Sequence, residues 1–237
     1  MTASNNAKAY EKKEKSKIRI AVPDVPETLS PIESESVFIK AAQDEDEIEE
    51  KLLSRLEIDN EDLSGGIFKH CRFSGCRFES IDFTRAEFSD IIFADCDLSN
   101  CTFNAAYFCR ARFENCRLYG TDFAESVFKE TVWSSSNLSY SNFIKSKLSH
   151  AAFKDDNLTG ADFSELVLTS VRFIQTDLTG VSFFMTRLKG IDLSSCVIRG
   201  ITVSDSFSEL KGLIIDRSQA QDLAGLLGVM YSEDIMD

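Results

Sequence analysis

The chain has 237 residues, 43% of them hydrophobic, with a formal net charge of −13 and 7 Cys. That length suits one sizeable domain or two small ones, and no run of about 18 apolar residues exists that could cross a membrane as a helix. An odd cysteine count without paired CxxC blocks points away from a disulfide framework or a zinc site and toward a reduced, cytoplasmic protein.

In chain order, residues 1–36 hold all 3 Pro together with much Lys and Glu. This composition predicts a disordered tail, and the opening MTASNNAKAYEKKEKSKIRIAVPDVP lacks the apolar stretch of a signal peptide. Residues 37–57, VFIKAAQDEDEIEEKLLSRLE, predict an N-terminal cap, either a short helix or an imperfect first coil, with the main body starting near 58. By charge, residues 1–60 carry −5, residues 61–205 carry −4 and residues 206–237 carry −4, so the body itself is only mildly acidic.

From Leu63 to Val203 a large apolar residue returns every fifth position without interruption. The 29 positions hold 16 Phe, 10 Leu and one each of Trp, Ile and Val, so 16 of the chain's 19 Phe fall in one frame. A helix repeats its buried face about every 3.6 residues and a strand every 2, and five is a multiple of neither. Two residues before each centre the side chain is usually small, as at Cys71, Ala86, Cys101, Thr121, Ser141 and Ala161, and the other three positions are mostly polar. One large and one small residue point inward per pentapeptide. This pattern predicts a solenoid over 58–205 in which each side is a short strand and each corner a tight turn, so that four pentapeptides close a square coil. Coils would stack at about 4.8 Å, wind right-handed by the crossover rule, and place Gly120, Gly160, Gly180 and Gly200 at corners needing positive φ.

Twenty residues per coil sorts the outward residues into four faces. The first carries Asp62, Asp82, Asp122, Glu125, Asp162, Glu165 and Asp205 against Arg85 and Lys145. The second carries Lys69, Arg110, Lys129, Lys147, Arg187 and Lys189 against Glu87, Asp90 and Glu130. An acidic stripe is thus expected along the prism, although an Asp before a centre also serves its own turn by hydrogen bonding to backbone. Inward, Cys76, Cys96, Cys116 and Cys196 share a column with Ser136, Asp156 and Thr176. These cysteines are expected to be core filler and not a metal site, and Asp156 is expected to be held by Ser136 and Thr176.

Beyond the frame, residues 206–237 predict a C-terminal cap: a strand over 213–215 and a helix over about 218–227. Asp216 or Ser218 would be the N-cap, Leu223, Leu226 and Leu227 an apolar stripe, and Gly228 the stop. His70 and His150 share a corner four coils apart, and no catalytic motif is present. No catalytic, cofactor or metal residue is assigned, and a non-enzymatic protein is expected.

ADFSE (161–165), TDFAE (121–125), CDLSN (96–100) and TDLTG (176–180) resemble the motif of the pentapeptide repeat proteins. The resemblance implies an all-β fold, the right-handed quadrilateral parallel β-helix, here with a C-terminal capping α-helix. The tail resembles the terminal helix of the quinolone-resistance members (the Qnr and MfpA types), which implies a homodimer through Leu223, Leu226 and Leu227. It further implies a DNA mimic that binds type II topoisomerase (gyrase or topoisomerase IV) and protects against quinolones, without binding nucleic acid directly. The seven acids of the first face would be the phosphate surrogates. The uninterrupted frame lacks the two outward loops of the Qnr type and looks more like the MfpA arrangement. The alternative from a different class is a passive scaffold with no topoisomerase target, contacting partners through apolar residues such as Ile92, Tyr107, Val127, Val132, Ile144, Phe184 and Met185.

Overall fold

The computed structural model describes residues 19–32, 34–44 and 47–229. Its strands are short because each ends at a corner. From Glu47 on, parallel pairing joins each strand to the residue twenty positions on: Phe68↔Phe88, Phe88↔Phe108 and Phe108↔Phe128 on the second face, and Phe73↔Phe93, Phe93↔Phe113, Phe113↔Trp133 and Trp133↔Phe153 on the third. On the first face, and on the fourth beyond the pairing of Glu57–Asp59 with Arg77–Glu79, the same register is carried by single bridges such as Asp62↔Asp82 and Asp97↔Arg117. The coil is therefore a parallel β-solenoid of square cross-section.

Every fifth residue from Glu50 to Gly190 has positive φ, and only Gly65, Gly75, Gly120, Gly160, Gly180 and Gly190 among these corners are glycine. The remaining corners accept a backbone conformation that costs an L-residue about 1–2 kcal/mol. No Val, Ile or Thr occupies one, because a branched Cβ tolerates it least. The ladder offsets the cost: Arg85 N–H donates to Asn104 O at 2.9 Å and Ala105 N–H to Ala124 O at 2.8 Å, each bond reaching the next coil. Eight-residue strands such as Glu87–Ala94 and Tyr107–Glu114 are two sides joined through such a corner, at Asp90 and Arg110.

The bore is filled by the frame residues, all buried except Leu168 and Val203, which are half-buried. Most rings stack along the axis, with Phe103 and Phe123 centroids 5.2 Å apart at 19°, while Phe163 meets Phe143 and Phe183 edge to face. Around one coil they meet edge to face, as Phe83 and Phe88 do at 5.6 Å. Such a side chain contributes roughly 1.5–3 kcal/mol by burial.

The small position has a second job that its size alone does not reveal. Its hydroxyl or thiol donates to the carbonyl of a frame residue in the preceding coil: Cys101 Sγ to Phe78 O, Thr121 Oγ1 to Leu98 O, Ser126 Oγ to Phe103 O and Ser146 Oγ to Phe123 O. Serine also accepts from the coil before it, as Cys116 N–H donates to Ser136 Oγ at 3.0 Å. Burial pushes the Cys101 thiol up to about 12.

Both ends differ from expectation. The coil begins earlier than 58, with β2 (Glu47–Glu49) and β3 (Lys51–Ser54) pairing onto Ile67–Lys69 and Arg72–Ser74. Residues 37–57 combine both expected forms: α1 (Glu35–Gln43), capped by Ser34, covers their start and drives Phe38 into the open bore, fully buried against Phe68, Phe73 and Phe78, and the first coil follows it. Residues 19–32 do not form the disordered tail expected through 36, of which 1–18 and Glu33 lie outside the described residues. β1 (Ser30–Pro31) pairs with Lys51 and Leu52. Upstream, the strap is fastened by its backbone to a corner row of side chains. Asp24 N–H donates to Asp90 Oδ1 (2.9 Å), His70 Nδ1–H to Asp24 O (2.6 Å), Ala21 N–H to Glu130 Oε2 (2.7 Å) and Arg112 Nη2–H to Ala21 O (3.3 Å). Asp90 is buried at this site, and burial pushes its carboxyl up. The two-pronged Arg110 contact (2.6 and 2.5 Å) and the Asp24 N–H outweigh that and hold it below its usual value.

At the other end the expected strand over 213–215 is a single bridge, Asp192↔Ile214. The helix α2 (Ala220–Leu226) starts after Gln219, not at Asp216 or Ser218. Asp216 instead takes the Ser218 N–H and hydroxyl, while the Gln219 amide is sunk into the coil end, donating to Leu193 O and Cys196 O. Gly228, at φ 72°, closes α2 with Val229 N–H on Ala224 O and Gly228 N–H on Gly225 O, a Schellman motif.

Asp156 tests how the column tolerates a carboxylate. Of the two expected partners Ser136 bonds Asp156, through its backbone, and Thr176 does not. Asp156 accepts from the Ser136 backbone N–H (2.7 Å) and the Lys154 N–H (2.8 Å), while Thr176 Oγ1 donates to Phe153 O and Ile174 O. Burial raises its carboxyl to about 7 despite those two donors. The folded chain therefore takes up a proton between the unfolded value, about 4, and about 7, a contribution present at low pH and lost as pH rises through 7. Asp156→Ser, which reproduces the residue at 136, removes this dependence. Urea midpoints of variant and wild type measured from pH 5 to pH 8 are expected to diverge in the variant's favour as pH rises, and a constant difference contradicts the assignment.

Candidate functional site: an acidic row on the first face

The first face is built from a vertical row one residue before each frame centre. Bridges connect Asp62↔Asp82, Asp82↔Thr102, Thr102↔Asp122, Asp122↔Asn142, Asn142↔Asp162, Asp162↔Ser182 and Ser182↔Thr202. Each aspartate folds its own corner: Oδ1 accepts the N–H two residues on, from Ser64 (3.0 Å), Thr84 (2.8 Å), Ala124 (3.0 Å) and Ser164 (2.9 Å). Asn142 does the same for Ile144 N–H and also donates to Asp122 Oδ1 at 2.9 Å. The row consequently favours a short polar side chain, a carbonyl at Asp62, Asp82, Asp122, Asn142 and Asp162 and a hydroxyl at Thr102, Ser182 and Thr202, and charge is optional there. The Ser64 N–H, with the Ser64 hydroxyl second, holds the Asp62 carboxyl below its usual value.

Glu125 and Glu165 differ from the aspartates. They sit at positive-φ corners of the same face, exposed, where any unbranched residue fits. Their charge is not required by the turn. The structure thus brings Asp62, Asp82, Asp122, Glu125, Asp162 and Glu165 onto one face over six successive coils, while Asp205 lies exposed where the frame fails. Sequence pattern located the row and expected each Asp to bond backbone in its own turn; the structure identifies the donor as the N–H two residues on.

The apolar candidates divide. Ile92, Tyr107, Val127, Val132 and Ile144 are half-buried, with Ile92 facing the cavity beside the strap. Phe184 and Met185 are 44% and 63% exposed. Among the α2 leucines, Leu223 and Leu226 pack on the chain's own core, leaving Leu227 exposed together with Val229. His150 contacts Ser149 Oγ, and His70 holds the strap, so the two histidines serve separate local contacts. All seven cysteines are free thiols, and no cluster of three or more His, Cys, Asp or Glu suited to a metal occurs among the described residues. No helix among the described residues is long and apolar enough to cross a membrane.

A square parallel solenoid with a five-residue frame and small-residue columns defines a repeat class. Two family models match this chain, "Pentapeptide repeats (8 copies)" over residues 62–100 and "Pentapeptide repeat region" over 106–183, and the chain belongs to the pentapeptide repeat proteins. Among solved structures it is similar to trypsin-treated QnrB1, described as a plasmid-mediated fluoroquinolone resistance protein, with 20% identity and a TM-score of 0.50 over 76% of this chain and 99% of that one. A second trypsin-treated QnrB1 gives 25% identity and a TM-score of 0.44 over 79% of this chain and 92% of that one. HetL from the cyanobacterium Nostoc sp. strain PCC 7120, involved in heterocyst differentiation regulation, gives 15% and 0.42 over 78% and 98%. Comparison with curated proteins gives no match.

Proposed function

We propose that this chain is a non-enzymatic binding protein whose first face imitates a DNA backbone and engages a type II topoisomerase, gyrase or topoisomerase IV. The observation carrying this reading is the acidic row, held in rigid vertical register by the ladder. Successive coils place carboxylates at multiples of about 4.8 Å on a rod of roughly duplex width, so the row could enter a positively charged DNA channel. The fold is shared with a plasmid-mediated fluoroquinolone resistance protein, and a protective role against quinolones belongs to this reading. The protein acts in the cytoplasm, where that target lies. It pairs into a longer rod through α2, with Leu227 at the contact and Leu223 and Leu226 supporting it from the core side.

The bond pattern of the row supplies a clean variant. Asp62, Asp82, Asp122 and Asp162→Asn keep the turn carbonyl, as Asn142 does, and Glu125 and Glu165→Gln alter only exposed corners. In a gyrase supercoiling assay with and without a fluoroquinolone, wild-type protein is expected to change activity, less so as ionic strength rises. The six-fold variant is expected to need at least about tenfold more protein for the same effect. No effect of wild type at high ratios to enzyme leaves the scaffold reading instead, and equal potency of the variant removes the row as the contact. Sedimentation of wild type against Leu227→Glu tests the pairing: the wild type is expected as a dimer and the variant as a monomer, and identical profiles contradict the α2 interface.

A further inference from the structure

A second surface, at the C-terminal end of the rod, has the opposite chemistry. There the frame fails, and the loop after it folds back beside the last full coil to enclose a half-open cavity of about 700 Å³. Arg187 and Lys189 from the second face and Lys211 from the loop line it, with Ser204, Ser206, Ser208 and Glu209. Lys69, Arg77, Arg110, Arg117 and Lys154 form ion pairs elsewhere, whereas none of these three cations forms one among the described residues. The stem of Lys189 lies against Gly212, where an added Cβ would meet Lys189 Cγ at 3.1 Å.

The lining carboxylate is committed to the wall. Glu209 is buried and accepts from Met185 N–H (2.9 Å), Ser204 N–H (3.3 Å) and the Ser204 hydroxyl (2.9 Å). Burial pushes its carboxyl up, and those donors outweigh it and hold it low, so the acid stays ionised and binds the loop to the coil. Against its single charge the three cations leave the lining net positive. The Ser204 proton is committed to Glu209, and Ser206 Oγ–H donates to Ser208 Oγ at 2.9 Å, which leaves the Ser208 proton to donate outward. Phe184 and Met185, 44% and 63% exposed, supply an apolar side to the same cavity.

We infer that this cavity binds a small phosphomonoester carrying an aromatic or aliphatic group. Its phosphate oxygens take the Arg187, Lys189 and Lys211 cations and the Ser208 hydroxyl, and its apolar body lies on Phe184 and Met185. Guanidinium and ammonium donors beside hydroxyls match a phosphate dianion, and the volume suits a small organic ligand. The inference does not rest on the acidic row: Asp62, Asp82, Asp122, Glu125, Asp162 and Glu165 lie on earlier coils, and only Asp205 is a chain neighbour of the lining serines.

Titration of the full chain with phenyl phosphate, inorganic phosphate and phenol, followed by calorimetry or amide chemical shifts, tests it. Phenyl phosphate is expected to bind saturably and at least about tenfold more tightly than inorganic phosphate, more weakly as salt rises, with no binding of phenol. Arg187→Ala/Lys189→Ala, both exposed, is expected to weaken phenyl phosphate at least about tenfold while circular dichroism stays unchanged. Phe184→Ser is expected to bring phenyl phosphate down to the level of inorganic phosphate. Absence of saturable binding, equal affinity for the two phosphates in wild type, or indifference to the double variant would each overturn the proposal.

Discussion

The whole molecule depends on one constraint: residue i pairs in parallel with residue i+20. Each coil presents its donors and acceptors to the next in a single register, and the frame residues stack because the ladder stacks. Phe73 and Phe93 centroids lie 4.6 Å apart and Phe88 and Phe108 4.8 Å apart, close to the strand spacing itself. The core and the surface are therefore locked together. A row of like side chains outside is as regular as the row of rings inside, because the same hydrogen bonds set both.

That constraint also explains the choice of residues between the centres. The corner asks for a side chain that tolerates positive φ, the position before the centre on the first and fourth faces favours a short acceptor, and the small position, where it is Ser, Thr or Cys, also donates to a nearby carbonyl. Asp62, Asp82, Asp122 and Asp162 satisfy the second demand, but Asn142, Asn137 and Asn157 satisfy it equally without charge. Lengthwise acidity is thus an addition to the fold, and Glu125 and Glu165 show it most directly, since no turn needs them. The C-terminal cavity is an addition of the same kind, made where the frame stops and the loop is free to collect Arg187, Lys189 and Lys211 around hydroxyls.

The solenoid was legible because a five-residue period is enforced at every step by burial, and Phe and Leu announce it. The faces followed from arithmetic on that period. Three features were hidden for physical reasons. The strap at 19–32 is held through its own backbone groups, so its Pro-rich and charged composition reads as disorder although Asp90, Glu130, His70 and Arg112 fasten it. Phe38 lies outside the frame, and its role as a plug appears only when the first coil leaves an open bore above Phe68, Phe73 and Phe78. For Asp156 the column points to Ser136 and Thr176, but only Ser136 bonds it, and the second donor is the Lys154 main-chain N–H, which no side-chain pattern reveals.

The register itself is open to a direct test by deletion. Removing residues 121–140 excises one complete coil and returns every remaining residue to its own face, whereas removing 121–124 shifts all later frame residues out of the bore. Purified deletion proteins compared by circular dichroism and urea unfolding should give a cooperative, folded shorter rod in the first case and loss of cooperative unfolding in the second. Equal tolerance of both deletions, or collapse of the twenty-residue one, would contradict the account.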